Sequence, residues 1–592
     1  MKKLLLFLCL LLLVLTPLSA KSQKPIDDWD TNATTRPKEI IIKRIKRHKY
    51  KRNVHSGGMG GDISPVQPMA MAAAVPSKIG LAVGGAKDTH NFSDNIHNGY
   101  LPKIDSITYE GTYYQHYFDT GLQGECQELF CPSYSQATIK DIYTDETYHY
   151  LSVGLNSGID QADFKRPKLN LVVVLDISGS MGSRFNRYFY DGKKRKNSDT
   201  KSKMKIANEA IIAMMKHLKP EDRFGVVLFD NNAYPVKPLR SVAATDMEAI
   251  KGHILALREK GGTNWSAGYK TGLRYFDKVS REGYENRIIF ITDAMPNSGE
   301  LDKDRLFGMV KRAAKKGIHT TYLGVGVDFN PNLVEVVSKT RGANYYAIHS
   351  SKDFRKRMDA EFDYMVTPLV YDLTLKLSSS GYRINAVYGS PQAKLSTGEI
   401  MRVHTLFPSA SDGSRNKGGV ILLRLKKTGK TENIKLSVSY QDTQGKRFHT
   451  TQEIILSQAL APHYDNSGIR KAVLLAEYVT LMKNWIIDMR AGCNDTLDYT
   501  HLVPEEIMPR CMVYPPLHPF YPKLKTWERR SCKLKVSKGY EKIFTLFRRH
   551  FDAERRQIGD KSLNQEFKIL KTLLRGKGSS SQERLDDWKG MR

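Results

Sequence analysis

The residues with the clearest chemical capacity are Asp176, Ser178 and Ser180, in the run Asp176-Ile177-Ser178-Gly179-Ser180-Met181-Gly182. A carboxylate and two hydroxyls at alternate positions can converge on one point where the chain leaves a strand. An oxygen-only cluster of this kind suits a hard divalent cation and is poor for zinc. Thr263, in Gly261-Gly262-Thr263-Asn264, adds a third hydroxyl, and Asp293, in Thr292-Asp293-Ala294-Met295-Pro296, adds a second carboxylate. Together they carry a formal charge of −2 and cannot complete a hard-cation shell alone. Water or an incoming carboxylate must supply the remaining oxygen.

These residues need elements that bring them together. Leu169 to Leu175 is an apolar run broken only by Asn170, the pattern of a strand buried on both faces. Helical periodicity follows at Met204–Leu218, Met247–Leu257, Asp302–Lys316, Pro331–Thr340 and Lys352–Met365. Strands are predicted at Phe224–Phe229, Ile288–Thr292, Thr320–Val325 and Tyr345–Ile348. The alternation predicts an α/β domain over residues 167–366, doubly wound around a mostly parallel sheet with helices on both faces. Right-handed crossovers put the strand carboxyl ends at one edge, where ligand sites of such sheets lie.

In that context the D-x-S-x-S run, followed by Thr263 and then Asp293, resembles the metal-ion-dependent adhesion site of von Willebrand factor type A domains. Every position of that motif is filled. The flanking regions are similar to secreted multidomain proteins, of bacterial type, that carry this domain. The resemblance implies a Rossmann-like fold and Mg²⁺, or Mn²⁺ or Ca²⁺, held directly by Ser178, Ser180 and Thr263. Asp176 and Asp293 would bind directly or through water, and a Glu or Asp of a partner protein would supply the last oxygen. The chain departs from the simplest version in the insertion Ser183–Lys203, which carries eight basic residues, Lys193-Lys194-Arg195-Lys196 among them. Beside a metal loop such a segment would steer acidic ligands.

The remaining sequence frames this domain. Residues 1–20 read as a secretory signal, with Lys2 and Lys3 before the apolar Leu4–Leu15 and Leu18-Ser19-Ala20 as the cleavage context. No other stretch is long and apolar enough to span a bilayer. The chain is therefore expected outside the cytoplasm, secreted or periplasmic. Residues 21–87 read as a disordered basic and glycine-rich linker, with nine Lys or Arg between Arg36 and Arg52. Residues 88–166 read as a small β-rich module with a local Cys126–Cys131 disulfide. Two of Cys493, Cys511 and Cys532 are expected to pair. Residues 367–458 read as a β-sandwich-like module and 459–592 as a mainly helical region, with Ser467 capping its first helix.

The formal net charge is +30. Such a charge suits an acidic partner such as nucleic acid, a polyanionic glycan or a membrane surface, although no motif points to specific nucleic-acid recognition; the acidic protein ligand is what the resemblance implies. Enzymatic signatures are missing. Ser178 stands where a phosphohydrolase of the D-x-D type needs a second carboxylate, no G-x-S-x-G surrounds it, and no H-E-x-x-H occurs. The chain reads as a binding protein rather than an enzyme, with a metal-dependent hydrolase as the competing class.

Overall fold

The computed structural model describes residues 25–33, 78–86, 89–143, 146–184, 201–293, 299–300, 302–325, 339–348, 351–390, 399–412, 415–430, 433–491 and 532–575. Several expectations lie outside these residues: the signal segment, the basic run Arg36–Arg52, most of the helix Pro331–Thr340, Cys493 and Cys511, and most of the Ser183–Lys203 insertion.

The Asp176 strand, Lys168–Asp176, lies in a seven-stranded sheet. Across the sheet the order is Gly85–Ala86, Asn344–Ile348, Ile318–Val325, Tyr284–Thr292, Lys168–Asp176, Arg223–Phe229 and Ala233–Ser241. All neighbours are parallel except Ala233–Ser241, which runs antiparallel along one edge. Leu171, Val173 and Leu175 pack with Ile206, Ala210, Ile211 and Met214 of the helix Lys203–Met215. Val172 and Val174 pack on the other face with Trp265 and Tyr269 of Trp265–Tyr275 and with Leu306 and Val310 of Lys303–Lys315. Each such buried side chain contributes about 1.5–3 kcal/mol. Asn170 survives in this core because its amide donates to Asn286 Oδ1 at 2.8 Å and to the Ser280 carbonyl at 3.0 Å. At Gly272 a Cβ would lie 2.7 Å from Val174 Cγ2, so only glycine lets this helix sit so close to the strand.

The chain leaves Lys168–Asp176 toward Arg223–Phe229 on one side and later returns to Tyr284–Thr292 on the other. The strand order therefore reverses beside Asp176, which makes this edge a topological switch point, the usual place for a ligand crevice.

A second sheet of ten strands is antiparallel. Its path runs Tyr382–Tyr388, Val420–Lys427, Thr147–Asp160, Lys78–Val83, Glu399–Ser409, Val370–Ser378, Asn433–Gln441 and Arg447–Ile455. Cys131–Lys140 pairs with Thr147–Asp160, and His463–Tyr464 pairs with Cys131–Lys140. This differs from the expectation of separate modules at 88–166 and 367–458, because their strands share one ladder. Lys78–Val83, expected in the linker, is an interior strand: Ile79, Leu81 and Val83 alternate into the core. The 88–166 segment also holds helices at His90–His97 and Tyr109–Tyr113. Cys126 and Cys131 are bonded, with an S–S distance of 2.07 Å.

The described residues of the carboxyl-terminal part are mostly helical. Its first helix, Ser467–Ala491, is capped by Asn466, whose Oδ1 accepts from the Ile469 amide at 3.0 Å, and not by Ser467. Val473, Leu474, Leu481, Trp485 and Ile486 are buried, along with Leu475, Val479 and Met482. The helix is covered nearly all round by Lys538–Ile558, Asn564–Arg575 and the sheet. Among the described residues no helix is long and apolar enough to cross a membrane.

Candidate metal centre

Asp176 ends its strand fully buried, and both of its carboxylate oxygens are used. Oδ1 accepts from the Ser178 amide at 2.7 Å, and Oδ2 accepts from the Thr292 hydroxyl at 2.6 Å. The first contact folds the loop back on itself and directs Ser178 toward Ser180, their hydroxyls 3.0 Å apart. Ser180 Oγ donates to Asp293 Oδ1 at 2.8 Å. Four of the five sequence-assigned residues thus form one connected chain of oxygens across two adjacent strand ends.

Thr263 belongs to the third loop and is also buried. That loop is fixed against the first: the Gly179 amide donates to the Gly261 carbonyl at 3.0 Å, and the Lys260 amide to the Ile177 carbonyl at 2.6 Å. Gly261 has φ +72°, and a Cβ there would lie 2.8 Å from Asp230 Oδ2, so this turn requires glycine. Asn264 caps the following helix, its Oδ1 accepting from the Ala267 amide at 3.1 Å. Its side-chain amide donates to the Asn231 carbonyl, so Asn264 is engaged in structure on both of its polar atoms.

Two partners escaped the sequence reading. Thr292 precedes Asp293 and looked like the end of a strand; only the strand pairing brings it to Asp176. Lys203 was counted among the basic residues of the insertion. Its Nζ in fact donates to Asp293 Oδ2 at 2.9 Å, with the two side chains 2% and 0% exposed. The signal for Lys203 was its place at the first turn of an amphipathic helix, where a side chain can turn inward. The insertion is closed at its base: the Lys203 amide donates to the Ser183 carbonyl at 2.9 Å, and Arg184 and Ser202 form a β-bridge.

Burial first, and then the neighbouring Asp293 charge, push the Asp176 carboxyl up to about 7, against the pull of the Ser178 and Thr292 hydrogen bonds. A buried carboxyl that is costly to ionise, as Asp176 is, is what a cation would relieve. The donors are all hard oxygens, with no thiolate or imidazole among the five. Among the described residues, this site included, no cluster of three or more His, Cys, Asp or Glu is placed to hold a metal, so hydroxyls must make up the donor set here. The donor chemistry therefore fits Mg²⁺, Mn²⁺ or Ca²⁺.

Comparison with known proteins agrees with this fold. Residues 170–359 match the von Willebrand factor type A domain. The inter-alpha-trypsin inhibitor heavy chain H1 of Mesocricetus auratus is 25% identical over 213 residues, which is 35% of this chain and 21% of that protein. The uncharacterized protein YfbK of Escherichia coli (strain K12) is 23% identical over 219 residues, 37% of this chain and 35% of that protein. This chain thus spans about a fifth to a third of the length of these curated relatives. A solved structure, "von Willebrand factor type A from Catenulispora acidiphila", covers 64% of this chain with 84% of its own, at 15% identity and a TM-score of 0.40. The switch-point sheet, the three loops at its edge and the match over residues 170–359 lead to one assignment: this is a von Willebrand factor type A domain protein, with that α/β domain set between further sheet and helical units.

Proposed function

We propose that this chain is a secreted binding protein whose type A domain engages a partner protein through a divalent cation. Asp176, Ser178, Ser180, Thr263 and Asp293 hold the cation, Mg²⁺ in the first instance and Mn²⁺ or Ca²⁺ otherwise. A bound cation supplies an electrophilic point for an acidic side chain of the partner. The observation that carries this reading is the hydrogen-bonded chain Ser178–Ser180–Asp293, joined to Asp176 through the Ser178 backbone. It gathers hard oxygens at a sheet edge while spending few formal charges, which leaves the cation electrophilic. Type A domains are protein-interaction modules, and that is the coarse function the family match supports.

The cation would occupy the two carboxylates, and Lys203 is held in its ion pair with Asp293, so a binding role is favoured over hydrolysis. The test is calorimetric titration of the full chain with MgCl₂ and MnCl₂, followed by capture of partners from an extracellular extract with and without EDTA. Binding of metal that Asp293→Ala abolishes, with capture lost in EDTA, is the expected result. Metal binding that survives Asp293→Ala would sink the assignment of the site.

A second reading rests on its own observation. A cleft of about 510 Å³ beside the helices Lys538–Ile558 and Asn564–Arg575 is lined by Arg548, Lys571 and Arg575, with Glu541 as its one carboxylate. The hairpin's Asp552, Glu554 and Asp560 are paired elsewhere, with Arg555 and Arg556, with Arg470, and with Lys471. Such a surface suits a polyanion. Its binding would fall steeply with salt and be indifferent to EDTA.

A further inference from the structure

We infer that Lys203 is a resident counter-cation of the metal centre, which holds its intrinsic metal affinity down so that retention depends on an anionic partner. This rests on the metal-site reading above and concerns how that site is regulated. The ammonium lies 2.9 Å from Asp293 Oδ2, inside the protein and not at its rim. It is pinned there. The Lys203 amide is bonded to the Ser183 carbonyl, and Ser202 caps the same helix by accepting from the Lys205 amide at 3.2 Å. These contacts fix the backbone that carries Lys203, and the burial of its side chain against Asp293 holds the ammonium in place.

The consequence is electrostatic. Asp176 and Asp293 contribute two formal charges, and Lys203 cancels one of them. An entering divalent ion meets a net charge of −1 instead of −2, with a fixed positive charge behind Asp293. Both Asp293 oxygens are also spoken for, one by Ser180 and one by Lys203, so Asp293 must exchange a partner before it can serve a cation. In a site this buried, like charges repel with little screening. Once metal is present, the two cationic groups together leave an excess of positive charge that an incoming carboxylate neutralises. Lys203 thus weakens the empty site's hold on metal and strengthens its demand for an acidic ligand.

The test compares the full-length wild type with Lys203→Met, which keeps the stem and removes the charge, and with Lys203→Arg, which keeps the charge. Each is titrated with Mg²⁺ and Mn²⁺ by calorimetry. The expected result is an affinity at least tenfold higher for Lys203→Met and within about threefold of wild type for Lys203→Arg; a tenfold change corresponds to about 1.4 kcal/mol. Metal-free Lys203→Met should melt lower than wild type, because Asp293 is left buried and unpaired, and saturating Mg²⁺ should close that gap. Should Lys203→Met require Mg²⁺ to fold, it is purified with the metal, and its release to a chelator is timed against wild type, with slower release expected. Equal or weaker metal binding by Lys203→Met, or equal or faster release, overturns the counter-cation role. If wild type itself takes up no metal, the underlying reading fails. If wild type binds, Asp293→Ala does not, and Lys203→Met matches wild type, only the Lys203 inference fails.

Discussion

The Thr292 hydroxyl donates to Asp176 Oδ2 at 2.6 Å, joining the ends of two neighbouring parallel strands through their side chains. Thr292 Oγ1 also accepts from Trp265 Nε1 at 3.3 Å, so one hydroxyl ties the loop carboxylate to the helix behind it. Asp176 is thereby oriented before any ligand arrives. Thr292→Val removes the donor from a buried carboxylate and leaves the indole N–H without its acceptor. The expected loss is about 1–3 kcal/mol of stability, read as a shifted urea midpoint at pH 7. Thr292→Ser, which keeps the hydroxyl, should stay near wild type; equal destabilisation by both variants would mean that packing, not the hydrogen bond, is what matters.

Metal occupancy should be visible as stability. A ligand bound only by the native state stabilises it by about 2.7 kcal/mol at a hundredfold excess over its Kd. Millimolar MgCl₂ is therefore expected to raise the melting temperature, and EDTA to reverse the rise. Ser180→Ala removes the hydroxyl that links Ser178 to Asp293 and should abolish the response. A rise of equal size in Ser180→Ala would place the ion elsewhere.

Much of this centre was legible in the sequence, because the D-x-S-x-S run and the apolar strand before it are local signals. The supporting contacts, Thr292 to Asp176 and Lys203 to Asp293, were not. Lys203 differs in type from none of its basic neighbours, and only the helix geometry turns it inward while Lys201 pairs with Glu209 near the surface. The edge strand Ala233–Ser241 was missed because Pro235 and Pro238 erase its strand signal; an edge tolerates prolines that an interior strand would not. The shared ten-stranded sheet was missed for a different reason. Pairings such as Val420 with Gly154, or Gly80 with Ser409, join residues hundreds of positions apart, and no local pattern encodes such a register.

Glu361 links the type A domain to a separate three-stranded sheet of Ser411–Asp412, Arg415–Lys417 and Tyr117–Asp119, paired with Arg357 of its own segment and with Lys417 at 3.0 Å. Burial alone would raise its carboxyl, but the Arg357 and Lys417 charges outweigh it and hold the group down at about 2. Lys417 is itself pushed down to about 8 by burial, against the pull of Glu361, so the pair is stabilised chiefly on the carboxylate side. A carboxyl whose folded pKa lies below its unfolded value adds stability that is present above about 4.5 and lost as pH falls toward 2. At neutral pH the lowered Lys417 opposes that contribution, so its signature is the acid limb of the stability curve. Glu361→Gln should lower stability at pH 7 and flatten the acid limb of the urea midpoint against pH. An unchanged acid limb would show that other carboxylates dominate it.

The last anchor sits at the opposite end of the Asp176 strand. Arg166 grips Asp222 with two hydrogen bonds, Nη1 to Oδ1 at 3.0 Å and Nη2 to Oδ2 at 2.5 Å, and both side chains are fully buried. Asp222 Oδ1 also accepts from the Leu169 amide at 2.9 Å, so this ion pair fixes where the strand begins. Asp222→Ala leaves a guanidinium buried with Asp363 as its remaining ionic partner among the described residues and is expected to cost about 3–5 kcal/mol. Replacing both partners, as Arg166→Met with Asp222→Leu, should recover a large part of that loss, since a well-packed apolar pair avoids the uncompensated charge. A double-mutant cycle on urea midpoints measures the coupling, expected at 1 kcal/mol or more. If the losses instead add, the pair is not coupled, and the strand is positioned by its apolar flanks alone. Because Leu169 and Asp176 share one rigid strand, Mg²⁺ affinity should fall in Asp222→Ala and return in the double replacement.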